Sequence, residues 1–105
     1  MIALVCAVRG TTRHGWVQVS AVIPPSEVSQ WCRRFRVDDA IRVMWRLAEE
    51  VIEATGGRKH WVAHHGNAME VTWEVHETLR EREILIPTPE GVETVRIVIP
   101  EPRAA

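Results

Sequence analysis

The sequence contains no tyrosine, one phenylalanine and only two cysteines, Cys6 and Cys32. Two cysteines are too few for the disulfide frameworks that hold small secreted domains together. Both lie among apolar residues, so we expect free thiols that pack as small hydrophobic groups. The apolar run 2–8 has no basic residue before it and is too short to span a bilayer. These features predict a cytoplasmic protein with reduced thiols and no membrane partner.

Sequence motifs of catalysis are also lacking. The chain has no G-x-S-x-G elbow, no P-loop, no G-x-G-x-x-G and no H-E-x-x-H, the patterns that mark common nucleophile, phosphate, dinucleotide and zinc sites. The zinc deaminase pattern, H-x-E with P-C-x-x-C, is absent as well. These absences favour a protein that uses no cofactor, and they favour a non-catalytic protein over an enzyme. An enzyme would have to assemble its site from residues distant in sequence.

The sequence does contain enough apolar residues for one core. Of its 105 residues, 46% are hydrophobic and 26% are charged, as is typical of a globular domain. We expect a single α+β domain over residues 1–100 and a flexible C-terminal tail over residues 101–105.

The first half of the chain predicts two strands and two helices. The continuous apolar run 2–8 is typical of a central strand covered on both faces, and residues 16–23 form a second strand that pairs with it as a hairpin.

Helix signals follow this hairpin. The first helix has Ser26 as its expected N-cap and an apolar stripe at i, i+3, i+4 and i+7. A second apolar stripe is rotated from the first by about 120°, so we expect a break near residues 36–38, with Asp38 as the second N-cap. The second helix should end at Gly56-Gly57, where glycine can adopt the left-handed conformation.

The second half predicts four strands. Apolar and polar residues alternate from Met69 to Val75, which indicates a strand with one wet face. A three-residue loop before it pairs Trp61 with Val71 and gathers the larger apolar groups on one face, with Asn67 left-handed. The alternative two-residue loop pairs Val62 with Val71.

A last hairpin completes the fold. It combines strands 83–86 and 92–99 with a turn at 87–91, where the prolines indicate a sheet edge. The whole predicts an α+β two-layer sandwich, order ββααββββ, with an antiparallel sheet and two helices on one face. The pattern leaves two places for the last hairpin, in the same sheet or in the sheet of another chain.

The candidate metal ligands are His60, His64, Glu70 and Glu74. On a strand the two histidines lie about 13 Å apart and cannot share one ion. In the expected register the two glutamates lie on the same wet face as the histidines. A His–Glu pair supplies two of the three ligands that catalytic zinc needs. The simpler interpretation is that surface histidines pair with carboxylates across strands.

Positive and negative charge are separated along the chain. Residues 9–46 carry a net charge of +4 and residues 47–105 a net charge of −5. The candidate binding residues are five arginines of the first half and one aromatic residue among them: Arg9, Arg13, Arg33, Arg34, Arg36 and Trp31. Such a cluster can bind phosphates, an acidic partner, or the chain's own acidic half.

These observations lead to three functional hypotheses. The first is a non-catalytic binding or regulatory protein that acts through a protein–protein interface as a homodimer, because the five tryptophans can supply interface anchors. The size also fits a small accessory or inhibitor protein of a mobile element. The alternatives are a nucleic-acid-binding module that uses Arg33, Arg34 and Arg36, and a small metal-dependent enzyme that uses His60 and His64.

Overall fold

The computed structural model describes residues 2–11 and 14–101. Its strands and helices follow one another as β1 (Ile2–Val5), β2 (Ala7–Thr11), β3 (Trp16–Ile23), α1 (Pro25–Phe35), α2 (Ala40–Ala54), β4 (Arg58–His65), β5 (Ala68–His76), β6 (Glu81–Thr88) and β7 (Gly91–Val98). The predicted α+β sandwich is confirmed. The predicted flexible tail lies outside the described residues except for Glu101.

The strands form two sheets, one with the order β1-β7-β6 and the other with the order β2-β3-β5-β4. The run 2–8, predicted as one strand, divides at Cys6. Its first part pairs with β7 in parallel and its second part pairs with β3 in antiparallel fashion. The backbone N–H of Cys6 donates to the carbonyl of Val98 at 2.8 Å, so the chain passes from one sheet to the other without losing a hydrogen bond. The last hairpin therefore pairs with the first strand of its own chain.

The prediction that the run 2–8 is covered on both faces is wrong. Leu4 and Cys6 lie in the core, 5% and 1% exposed, whereas Ala3 and Val5 are exposed on the opposite side. Neighbouring residues of a strand point to opposite faces, and the two helices cover only one of them.

The first helix begins on a proline and not on a serine cap. Pro24 occupies the N-cap position without a side-chain hydrogen bond, and Pro25 is the first helical residue. Proline suits this position because its fixed φ matches the helix and its missing N–H would have no partner there. Ser26 lies inside the first turn, so the predicted cap is wrong. The predicted break is confirmed, because Arg36 adopts a left-handed φ of 55° directly after the helix.

The second helix is capped by the neighbour of the predicted residue. Asp39, and not Asp38, precedes Ala40, and its Oδ1 accepts a hydrogen bond from the backbone N–H of Ile41 at 3.0 Å. This contact satisfies one of the free donors of the first turn. At the other end the predicted stop is confirmed, since Gly56 follows the C-cap with a φ of 66°.

The register of the β4–β5 hairpin differs from the predicted one. Val62 pairs with Val71 across a two-residue loop, and Trp61 points to the helix-free face. Gly66, and not Asn67, has the positive φ, as a two-residue hairpin loop with glycine first requires. The apolar pattern predicted the wrong register because β4 is an edge strand whose side chains are little buried. Its register therefore follows the turn and not the core.

The core lies between the helices and the inner faces of both sheets, with Trp73 near its centre. The Trp73 indole is fully buried, and its Nε1 donates to Thr55 Oγ1 at 3.2 Å. The Thr55 hydroxyl in turn donates to the carbonyl of Val51 at 2.9 Å. This chain of hydrogen bonds ties β5 to the C-terminal end of α2.

Gly57 allows the backbone to pass directly beside this indole. A Cβ atom at position 57 would lie 2.6 Å from Trp73 Cδ1 and 2.9 Å from the carbonyl oxygen of Glu74. Both distances are below van der Waals contact, and the second involves backbone, which cannot turn aside.

We expect Gly57→Ala to lower the free energy of unfolding by about 1–3 kcal/mol, because the added methyl overpacks a rigid part of the core. Urea denaturation followed by tryptophan fluorescence measures this change. Gly10→Ala is the matched control, since a Cβ at position 10 has no neighbour within 4 Å, and it should stay within about 0.5 kcal/mol of wild type. Equal stabilities for the two variants would contradict the close approach.

Both cysteines are free thiols, as predicted. Burial raises the pKa of the Cys6 thiol to about 12. Cys32 is half-buried, and burial, followed by the charges of Asp38 and Asp39, raises its pKa as well. A raised pKa keeps the thiol protonated and therefore unreactive.

The Cys6 thiol should make stability depend on pH in the alkaline range. In the unfolded chain this thiol ionises near 9.0 and in the folded chain near 12, so its contribution is complete below pH 9 and declines as the pH rises towards 12. The expected slope is about 1.4 kcal/mol per pH unit. Urea unfolding between about pH 8 and pH 11 should give a shallower decline for Cys6→Ala than for wild type. Identical slopes would contradict the assignment.

Candidate interaction surface

The helix-free face of the sheets carries most of the apolar surface that remains in water. Residues paired across strands share a face, so the register assigns each side chain to the inner or the outer side. Seven large apolar side chains are exposed within the described residues, and five of them lie on the helix-free side: Val5, Val22, Trp61, Leu85 and Val92. The two sheets differ in the side chains that they place on this side.

The four-stranded sheet covers part of its outer face with its own polar side chains, while Val22 and Trp61 stay exposed there. The Arg9 guanidinium donates to Ser20 Oγ at 2.8 Å and lies 3.1 Å from a carboxylate oxygen of Glu70. Farther along, Arg58 lies 3.1 Å from the Glu74 carboxylate, and its guanidinium carbon lies 3.9 Å from the centre of the Trp16 ring. Within the described residues, no buried side-chain polar atom lacks a hydrogen bond.

The three-stranded sheet leaves its outer face open. We call this surface the apolar sheet face and define it by Ala3, Val5, Glu81, Glu83, Leu85, Pro87, Val92, Thr94, Arg96 and Val98. Val5, Leu85 and Val92 are 68%, 66% and 64% exposed, so most of each side chain touches water. Val5 pairs with Val98 at one end of the face, and Val92 pairs with Pro87 at the other.

A charged row crosses the middle of the apolar sheet face. Arg96 of β7 is flanked by Ala3 of β1 and by Glu83 of β6. Its guanidinium also donates a hydrogen bond to the Glu81 carboxylate. This bond lowers the pKa of Glu81 and raises the pKa of Arg96, so both groups carry their charge at neutral pH. The face therefore has an apolar end at Leu85, Pro87 and Val92, whereas Glu81, Glu83 and Arg96 bring both signs of charge to the part nearer Val5.

The predicted arginine cluster is divided between two places. Arg9 lies on the outer face of the four-stranded sheet, whereas Arg34 and Arg36 reach from the end of α1 to Glu93 and Glu90 of the last hairpin. These three arginines thus pair with acidic residues of the same chain, which is one of the interpretations given above.

Of the remaining candidate binding residues, the structure describes Arg33 and Trp31. Arg33 lines a shallow groove at the end of α1 together with Arg36, and Arg13 lies outside the described residues. Trp31 is 1% exposed and stacks on Phe35 with ring centroids 5.6 Å apart. Assigning Trp31 to a binding surface is therefore wrong, because a partner cannot reach a side chain buried in the core.

A second, smaller exposed patch lies on α2. Ile41 and Trp45 border an open groove together with Arg42 and Arg46. The Arg46 guanidinium carbon lies 4.8 Å from the centre of the Phe35 ring. This patch contains one aromatic residue and one aliphatic residue, fewer apolar groups than the apolar sheet face.

The structure does not bring the four candidate metal ligands together. His64 pairs with Met69, so it lies on the helix side, and the His60 ring contacts Trp45 with centroids 5.9 Å apart. Glu70 and Glu74 lie on the opposite face. The shared face followed from the wrong β4–β5 register. Within residues 2–11 and 14–101, no three His, Cys, Asp or Glu side chains are grouped closely enough to hold a metal ion.

Sequence reasoning missed the apolar sheet face, although two signals for it were present. Residues 2–5 are apolar on both sides of the strand, and the last strand places Val92 and Val98 at positions that alternate with the core residues. Alternation alone does not distinguish solvent from a second apolar contact, so it could not show what the face of these valines meets.

Neither helix within the described residues has the length and apolar content needed to cross a membrane.

Comparisons with known proteins found no match. No family model matches the sequence, and neither a curated protein nor a solved structure shows significant similarity.

Proposed function

We propose that this protein is a non-catalytic binding protein that acts through a protein–protein interface on the apolar sheet face. The observation that carries the proposal is the exposure of Val5, Leu85 and Val92 on one side of three adjacent strands. Covering an aliphatic side chain of this size contributes about 1.5–3 kcal/mol relative to leaving it in water. Exposed apolar groups that adjoin one another mark interaction sites in soluble proteins. Here Leu85, Pro87 and Val92 adjoin at one end of the face, and Val5 lies beside Val98 at the other.

The charges support a protein partner over a nucleic acid. Arg9, Arg34 and Arg36 lie within ion-pair distance of carboxylates in their own chain, and binding phosphate would have to displace those carboxylates. The chain as a whole carries a net charge of −1, whereas dedicated nucleic-acid-binding domains are usually basic.

The double variant Leu85→Lys/Val92→Lys tests the proposal. Two ammonium groups on the apolar sheet face cannot be buried without partners, so binding should weaken by at least about tenfold. The tagged protein is cross-linked in cells of its native host, and the proteins it captures, including untagged copies of itself, are quantified by mass spectrometry.

Ile41→Lys is the control, because it places a single lysine at an exposed apolar position on α2, away from the apolar sheet face. It should capture the same proteins as wild type, and circular dichroism should show that all three chains are folded. The proposal fails if wild type captures no protein, itself included, or if the double variant captures every partner at the wild-type level.

A further inference from the structure

We infer that the open groove on α2 binds a small organic anion, a monocarboxylate with an apolar body of one or two rings. The groove lies on the helix side of the molecule, away from the apolar sheet face, so the inference is independent of the proposed function. Its volume of about 330 Å³ falls at the lower end of the range of small-molecule sites, about 300–1,000 Å³. Such a volume suits a ligand of this size.

Apolar side chains provide most of the wall of the groove. Ile41 is 49% exposed and Trp45 is 38% exposed, and their spacing of four residues puts them on the same face of α2. Phe35, the last residue of α1, and Val37 supply further apolar surface. The His60 ring contacts the Trp45 ring edge-on, with centroids 5.9 Å apart, which restricts the indole. The groove can therefore cover a flat apolar group.

Two arginines on the rim of the groove have no acidic partner. Within the described residues neither Arg42 nor Arg46 forms an ion pair, and both are exposed. Six other arginines do pair with carboxylates of the chain: Arg9, Arg34, Arg36, Arg58, Arg80 and Arg96. Residues four apart on a helix have their Cβ atoms about 5–6 Å from each other. One carboxylate can therefore accept hydrogen bonds from both guanidinium groups.

The surroundings of each guanidinium group favour a bound anion. Arg42 lies in the first turn of α2, which contains no acidic residue beyond the Asp39 cap, although the helix dipole disfavours a cation there. A bound carboxylate offsets this repulsion. The Arg46 guanidinium carbon lies 4.8 Å from the centre of the Phe35 ring. This cation–π contact holds the group at the wall of the groove before a ligand binds.

The charge of the groove selects a monoanion. Glu49 lines the groove together with Arg42 and Arg46, so two positive charges and one negative charge leave a net charge of +1. A carboxylate neutralises this charge, whereas a phosphate monoester carries about −1.5 to −2 at neutral pH and exceeds it. Repulsion from Glu49 also limits the affinity for every anion.

A titration with naphthylacetate, a monocarboxylate with two fused rings, tests the inference. The indole N–H signal of Trp45 is followed by NMR in isotope-labelled protein, and it is identified among the five tryptophans by its loss in Trp45→Phe. The signal should shift and saturate with a dissociation constant below about 1 mM. The uncharged naphthylacetamide should bind at least about fivefold more weakly, because it cannot form charge-assisted hydrogen bonds as a carboxylate does.

Substitutions in the groove should change the affinity in opposite directions. Arg42→Gln and Arg46→Gln should each raise the dissociation constant at least about fivefold, because each removes a cationic hydrogen-bond donor. Glu49→Gln should lower the dissociation constant about threefold, because it removes a like charge from the ligand's surroundings. A substitution that merely loosened the fold would not tighten binding.

Arg82→Gln is the matched control, since Arg82 is an exposed arginine without an ion pair in the described residues and does not line the groove. It should bind within about twofold of wild type, and circular dichroism should show that every variant is folded. The inference is overturned if the Trp45 signal stays unchanged up to about 10 mM probe. It is also overturned if the amide or either arginine variant binds as tightly as the wild-type pair. A probe that shifts the backbone signals of Leu85 and Val92, and not the Trp45 indole, has bound the apolar sheet face instead and likewise contradicts the groove.

Discussion

A pleated sheet has two faces, and each needs its own covering layer if its apolar side chains are to leave water. The described residues contain two helices, and both pack on the inner side of the sheets. On the other side, the four-stranded sheet is partly covered by long polar side chains, such as Arg9 over Ser20 and Arg58 over Trp16. The three-stranded sheet has a charged row there but leaves Val5, Leu85 and Val92 exposed. The position of its valines and of Leu85, and the proposed function of the protein, follow from this difference.

The charge pattern depends on the same architecture. Because the end of α1 packs near the turn of the last hairpin, Arg34 and Arg36 meet Glu93 and Glu90. Three arginines of the basic first half, Arg9, Arg34 and Arg36, are thus paired with acidic residues of the second half. Exposed pairs of this kind contribute little to stability, but they remove the charge that would attract a polyanion.

Local signals in the sequence predicted the fold class, the helix break and the stop at Gly56, because each depends on neighbouring residues. The β4–β5 register could not be predicted from hydrophobicity, since β4 is an edge strand and its turn decides the pairing. The parallel pairing of β1 with β7 joins residues at opposite ends of the chain, and no local pattern contains that information. The same limit hid the candidate site: exposure of Val92 or Leu85 depends on which faces the helices reach, and Trp31 is buried for the same reason.

The parallel pairing of β1 with β7 also has a consequence for biosynthesis. Ile2 pairs with Val95 and Val5 with Val98, so β1 is synthesised roughly 90 residues before the strand with which it pairs. At about 5–20 residues per second, the apolar segment 2–5 stays unpaired for several seconds while the middle of the chain folds. Contacts this distant in sequence also slow folding after release. During that interval the unpaired apolar strand makes the nascent chain prone to aggregation.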